Sequence, residues 1–105
     1  MNFESQTKNG KCTAKAEGEL TIYCAAAFGE KITECVNTAE AVELNLDKVE
    51  EIDTSCLQLL MQAKRACDAS NKTFALTSVS PVIQDVLHLY GLDLFFGSDL
   101  NVVNR

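Results

Sequence analysis

The stretch Leu44-Asn45-Leu46-Asp47-Lys48-Val49-Glu50-Glu51-Ile52-Asp53-Thr54-Ser55-Cys56-Leu57-Gln58-Leu59-Leu60 changes character halfway along. Val42, Leu44 and Leu46 alternate with Glu43 and Asn45, the period of a strand with one covered face. From Thr54 to about Ala69 the period becomes helical. Cys56, Leu59, Leu60, Ala63, Ala66 and Cys67 share one arc, the expected core face, with Gln58, Gln62 and Arg65 opposite. Leu57 and Met61 fall on a flank beside Lys64, as core margin or as a docking patch. Between strand and helix the residues read as a short acidic loop. Its end, Asp53-Thr54-Ser55, puts a carboxylate and two hydroxyls at a helix N-terminus, where free N–H groups and the helix dipole favour negative charge. Two readings compete there: an N-cap, or a site where a hydroxyl receives a phosphate.

Upstream, Met1 to Lys8 predicts a weak first strand that turns at Asn9-Gly10. Cys12, Ala14 and Ala16 alternate with Thr13, Lys15 and Glu17, a second strand in a hairpin with the first. Gly18-Glu19-Leu20 is read as the break in that alternation. A helix follows from near Cys24 to Asn37-Thr38, with Ala25, Phe28, Ile32, Cys35 and Val36 as one apolar stripe and Thr21 as the available cap. Gly29 inside it lowers helix propensity by roughly 1 kcal/mol against Ala, which predicts a close packing contact.

Downstream, Phe74 and Leu76 alternate with Thr73 and Thr77 in a further strand. Ser80-Pro81 opens a last helix with a cap and a first-position proline. Its expected apolar face is Val82, Ile83, Val86, Leu87 and Tyr90, and Gly91 closes it. Leu92 to Phe96 is expected to tuck back as a short helix, and Asn101 to Arg105 to form a tail. The strands keep polar residues on one side. A parallel sheet sandwiched between helix layers would show near-continuous apolar runs. The expectation is an α/β domain of two layers.

The 105 residues suit one domain, 1–105, able to bury a core unaided. A net charge of −6, with only Lys64-Arg65 adjacent among the basic residues, argues against a nucleic-acid partner. No apolar run approaches the roughly 20 residues that span a bilayer, and no leader is recognisable, so no membrane insertion and a cytoplasmic location are expected. Cys12, Cys24, Cys35, Cys56 and Cys67 lack metal-site spacing and read as reduced, mostly buried thiols; neither metal nor cofactor is expected.

No enzyme constellation emerges. A Ser or Cys nucleophile needs a base, and the sole histidine, His88, falls on the outer face of its helix. The glycines form no phosphate-cradling loop. Glu50, Glu51 and Asp53 read as a solvated acidic loop rather than as a metal or acid–base site. Cys56 offers a thiol-sensing alternative, since a helix N-terminus lowers a thiol pKa, although the periodicity puts it on the core face. The hydroxyls of Thr54 and Ser55 are the remaining chemical handles.

Several short motifs, in order and spacing, resemble the STAS domains, the fold of anti-sigma factor antagonists and of the cytoplasmic portion of sulfate transporters. They are Gly18-Glu19-Leu20, Val42 to Leu46, Ile52-Asp53-Thr54-Ser55-Cys56-Leu57, Leu59-Leu60, Ser80-Pro81-Val82 and Val86-Leu87-His88-Leu89-Tyr90-Gly91-Leu92. The resemblance implies a mixed four- to five-stranded sheet with helices mainly on one face, in a stand-alone bacterial regulator that is not an enzyme. It implies partner switching: a serine/threonine kinase of the anti-sigma factor type phosphorylates the hydroxyl after the Asp, and a PP2C-type phosphatase removes the phosphate. By position the acceptor is Thr54, with Ser55 second, and Asp53, Ser55, Cys56, Leu57 and Met61 are partner-binding. Thr54 stands where serine is usual and Cys56 where glycine is usual. An alternative within the same family is a constitutive interaction subunit of a chemotaxis-associated or lipid-transport assembly, without a working phosphosite.

Overall fold

The computed structural model describes residues 1–97. The elements are β1 (Asn2–Lys8), β2 (Lys11–Leu20), α1 (Ala25–Thr38), β3 (Ala41–Ile52), α2 (Thr54–Ala69), β4 (Thr73–Val79) and α3 (Pro81–Leu89). One sheet of four strands runs in the order β1-β2-β3-β4. β1 and β2 are an antiparallel hairpin, and β2, β3 and β4 are parallel. The hairpin turn places Asn9 and Gly10 both at positive φ, 54° and 80°, the two-residue geometry that Asn-Gly favours.

The sheet has one covered face. Cys12, Ala14, Ala16 and Leu20 of β2, Val42, Leu44 and Leu46 of β3, and Phe74 and Leu76 of β4 are buried under the helices. The uncovered face carries cross-strand pairs: Lys11 with Glu43 at 3.0 Å, Lys15 with Asp47 at 3.8 Å and Lys48 with Glu17 at 4.0 Å. The expected two-layer, mixed-sheet α/β fold is what forms, with four strands.

Two boundaries differ from the sequence reading, and β-bulges explain one of them. β3 does not give way to a loop after Leu46; it continues to Ile52. Its register against β2 shifts twice, between Asn45 and Lys48 and between Val49 and Glu51. An extra residue moves the buried positions from Leu44 and Leu46 to Val49, so the alternation loses phase while the strand goes on. At the first bulge the Asn45 side chain accepts the Asp47 N–H at 2.8 Å. β2 also runs through Gly18-Glu19-Leu20. Gly18 holds an inward position without a side chain, at a φ of 90°, and Leu20 resumes the buried row.

The helices pack by their stripes. α1 buries Phe28, Ile32, Cys35 and Val36. Its N-cap is Cys24, whose N–H bonds the Thr21 carbonyl at 2.9 Å; no side chain caps the helix, so Thr21 serves by its backbone. A Cβ on Gly29 would sit 3.4 Å from Leu59 Cδ2, so the glycine does mark a close approach of α1 to α2. α2 buries Cys56, Leu57, Leu60, Ala63 and Cys67, while Leu59 is half-buried and Ala66 exposed. α3 is capped by Ser80, which accepts the Ile83 N–H at 3.4 Å, and it buries Ile83 and Leu87. Tyr90, expected inward, is 53% exposed at the helix end. Gly91 at positive φ follows, with Leu92 N–H bonded to Leu87 O and Gly91 N–H to His88 O, a Schellman closure. Leu92 to Phe96 is a turn rather than a helix, and it buries Phe96. The expected tail, Asn101 to Arg105, lies outside the described residues.

Candidate functional site

The end of β3 delivers Asp53 in extended conformation, φ −107° and ψ 177°, directly before the first turn of α2. One carboxylate oxygen, Oδ1, accepts the Cys56 N–H at 3.3 Å and the Ser55 hydroxyl in a short bond. The other, Oδ2, accepts the Ile22 N–H at 2.7 Å from the turn between β2 and α1. The Asp53 backbone extends the seam: its N–H bonds Leu20 O at 3.0 Å and its carbonyl takes the Leu57 N–H at 3.0 Å. Asp53 therefore caps one helix and fastens the lead-in of another. The Ser55 hydroxyl, joined by the N–H groups of Ile22, Cys56 and Ser55, holds its carboxyl below the ordinary value against a smaller opposing effect of desolvation.

The three polar residues divide their roles. Asp53 and Ser55 are half-buried and bonded to each other, while Thr54 is exposed, and among the described residues no hydrogen bond engages its hydroxyl. Cys56 is fully buried and bonds the Thr21 carbonyl through its thiol at 3.5 Å. Burial, with the neighbouring Cys24 thiol, pushes the Cys56 thiol up to about 11. The shift is opposite to the one the thiol-sensing alternative requires, because desolvation outweighs the lowering effect of the Ser55 hydrogen bond, in keeping with the core-face position read from the periodicity.

The structure brings Asp53, Thr54, Ser55 and Cys56 together, and it takes Leu57, expected on the docking face, into the core while Met61 stays partly exposed. Leu57 is 4% exposed, inside the core, and Met61 is half-buried against it. The exposed apolar residues beside Asp53 are Ile22 and Tyr23, at 64% and 96% exposure, in the turn whose Ile22 N–H Asp53 holds. The sequence did carry a signal for them: two large apolar residues between the end of one element and the start of the next, outside either stripe. Around them the charge is acidic. Glu19 and Glu51 face each other across β2 and β3, both exposed, and Glu50 adjoins them. Like charges directly opposite on neighbouring strands are unfavourable. His88 is exposed, 3.5 Å from Asp93. Among the described residues no group of three or more His, Cys, Asp or Glu is placed to hold a metal ion. No helix among them is long and apolar enough to cross a membrane.

A mixed four-stranded sheet, helices over one face and a capped strand-to-helix junction beside an exposed hydroxyl define a small two-layer α/β domain. The family described as "Mlab, STAS domain" matches residues 4–98, and the chain belongs to the STAS domains. Among solved structures, the Bacillus cell fate determinant SpoIIAA in its phosphorylated form is similar at a TM-score of 0.76 and 17% identity, covering 99% of this chain and 93% of that one. SpoIIAA in its unphosphorylated form gives 0.78 and 18%, covering 99% and 90%. An anti-sigma factor antagonist from Mycobacterium paratuberculosis gives 0.78 and 22%, covering 95% and 84%. At these identities the likeness is one of fold. No curated protein sequence matches the chain significantly.

Proposed function

We propose that this chain is a non-enzymatic cytoplasmic regulator that works by phosphorylation-controlled partner switching, with Thr54 as the phospho-acceptor. The observation that carries this reading is the division of roles at the cap. Asp53 and Ser55 hold the junction, and Thr54 stands exposed beside them with its hydroxyl unengaged. A kinase can take that hydroxyl without dismantling the cap. Ser55 is the poorer acceptor because its hydroxyl already donates to Asp53.

A phosphate on Thr54 would add about −1.5 to −2 charges beside Asp53, Glu50 and Glu51. The positive end of the α2 dipole offsets part of that repulsion, so the helix start survives. The surface changes far more than the fold. A partner that docks on the mildly acidic, unmodified surface meets a strongly acidic one after transfer. Solved structures of SpoIIAA in both phosphorylation states share this fold, which supports a switch that reads surface rather than backbone. The partners in this reading are a serine/threonine kinase of the anti-sigma factor type and a PP2C-type phosphatase. Ile22 and Tyr23 join Asp53 and Ser55 as the contact surface, with Cys56 and Leu57 supporting it from beneath and Met61 at its margin. Incubation with the cognate kinase and ATP, followed by mass spectrometry, tests the proposal; phosphate on neither Thr54 nor Ser55 refutes it.

Cys56 favours a second reading. It occupies the place where the family usually has glycine, and its side chain fills the space under the loop. In that reading the chain is a constitutive interaction subunit of a chemosensory or lipid-transport assembly, and the loop is only a cap. A Thr54→Asp variant that binds every wild-type partner with unchanged affinity supports it over the first.

A further inference from the structure

Two pairs of thiols are near neighbours among the described residues, and the chemistry of the switch proposed above uses neither. Cys12 of β2 neighbours Cys35 of α1, and both are buried. Cys24, the N-cap of α1, lies beside Cys56 in the first turn of α2. Only the second pair has a member that solvent reaches: Cys24 is half-buried, and Cys56 lies fully buried behind it. A shared acceptor holds this pair. The Thr21 carbonyl takes the Cys24 backbone N–H at 2.9 Å and the Cys56 thiol at 3.5 Å. The Cys24 thiol is held in turn by the Glu19 carbonyl at 3.5 Å. The Ile22 N–H bond to Asp53, at 2.7 Å, fixes the same turn against the same helix start.

We propose that Cys24 and Cys56 form a dithiol that hydroperoxides oxidise to a disulfide, tying the Thr21–Cys24 turn covalently to the first turn of α2. Cys24 reacts first because solvent reaches it. Its sulfur attacks one peroxide oxygen, the O–O bond breaks, a sulfenic acid forms and the first water leaves. The Cys56 sulfur then attacks the Cys24 sulfur, the S–O bond breaks, and hydroxide leaves with the Cys56 proton as the second water. Two thiols have lost two electrons and two protons, and hydrogen peroxide has taken both to become two waters. Burial explains the order of events, since a thiol pushed up to about 11 is a slow first target but an adjacent partner for a sulfenic acid. Cys12 and Cys35 are an internal control: the thiols neighbour each other, but both are buried, and Cys35 is pushed up to about 12.

The test uses the full chain, reduced and then exposed to hydrogen peroxide, with remaining thiols blocked by N-ethylmaleimide in denaturant before digestion and mass spectrometry. The expected product is one cross-linked peptide pair joining Cys24 to Cys56, lighter by two hydrogens and released by dithiothreitol, with Cys12, Cys35 and Cys67 alkylated. Cys24→Ser abolishes the cross-link and Cys12→Ser leaves it in place. The wild-type map alone decides the matter should Cys24→Ser not fold. Peroxide that leaves Cys56 alkylated, with Cys24 untouched, over-oxidised to sulfinic acid or joined to a second chain, overturns the proposal. Thr54→Ala keeps both thiols and oxidises at the wild-type rate, so the dithiol stands or falls separately from the phosphosite.

Discussion

Leu57 is the residue on which sequence and structure part most usefully, and truncating it tests which is right. On the helix projection it lies on a flank, eligible for docking; in the fold it is 4% exposed, at the start of α2. Leu57→Ala removes a nearly fully buried isobutyl group. Substitutions of that kind lower stability by about 2–5 kcal/mol, the spread reflecting how far the site collapses. Leu57 sits one turn from a helix terminus, where neighbours can relax, so the lower part of that range applies, about 2–3 kcal/mol. For a domain of this size each kcal/mol shifts the midpoint by about 4–8 °C, which gives a fall of about 8–24 °C. Tyr23→Ala removes a larger side chain that is 96% exposed, and surface changes of that kind stay within about 0.5 kcal/mol.

Thermal unfolding followed by circular dichroism separates the two, and a binding assay with the cognate kinase completes the comparison. Leu57→Ala is expected to unfold early yet bind normally well below its midpoint. Tyr23→Ala is expected to unfold with the wild type and bind weakly. The reasoning fails if Leu57→Ala keeps the wild-type midpoint while losing the partner, because Leu57 would then be a contact residue held outside the core.

Three further outcomes follow from the same geometry. Gly29→Ala should be close to neutral, since roughly 1 kcal/mol of helix propensity is set against a Cβ 3.4 Å from the flexible end of Leu59; Gly29→Leu should lower stability by about 1–3 kcal/mol in urea titrations by forcing α1 from α2. Asp53 is held below its ordinary value, so its folded carboxylate contributes stability that is complete above the unfolded value of 3.8 and is lost as pH falls through the lower folded value. Unfolding measured from roughly pH 5 down to 2 should therefore fall more steeply for wild type than for Asp53→Asn, which keeps a capping side chain without the charge. Lys11→Ala, which breaks the 3.0 Å pair with Glu43 on the uncovered face, should change stability by less than about 1 kcal/mol, and half-molar salt should erase the difference.

Period and caps carried much of this fold openly. Asn9-Gly10 can make only a tight turn between two such runs, and Ser80-Pro81 with Gly91 brackets α3 at both ends. The second half of β3 was hidden because a bulge changes which residues face inward, and a test for strict alternation reads a change of phase as the end of the strand. Leu57 was misplaced for a related reason. α2 buries Leu57 and Leu60 in the core and meets α1 with Leu59 beside Gly29, so it covers two adjacent arcs that one averaged arc cannot represent. Asp53 was readable as a cap from its place alone. Its second bond, to the Ile22 N–H, joins residues far apart in the chain, and no local pattern announces such a bond.

That second bond matters most for how the site could work. A cap that served only α2 would leave the turn before α1 free to move, and an event at Thr54 would stay local. Here one carboxylate holds both, Oδ1 on the helix start and Oδ2 on Ile22, so the exposed pair Ile22–Tyr23 and the exposed hydroxyl of Thr54 belong to one rigid surface. The carboxylate also limits what a phosphate on Thr54 can do. A new anion cannot simply take over the first-turn N–H groups, because Asp53 already occupies that of Cys56 and its carbonyl that of Leu57. The added charge must face outward, toward whatever rests on Ile22 and Tyr23. A switch arranged in this way acts on its partner and leaves its own fold unchanged.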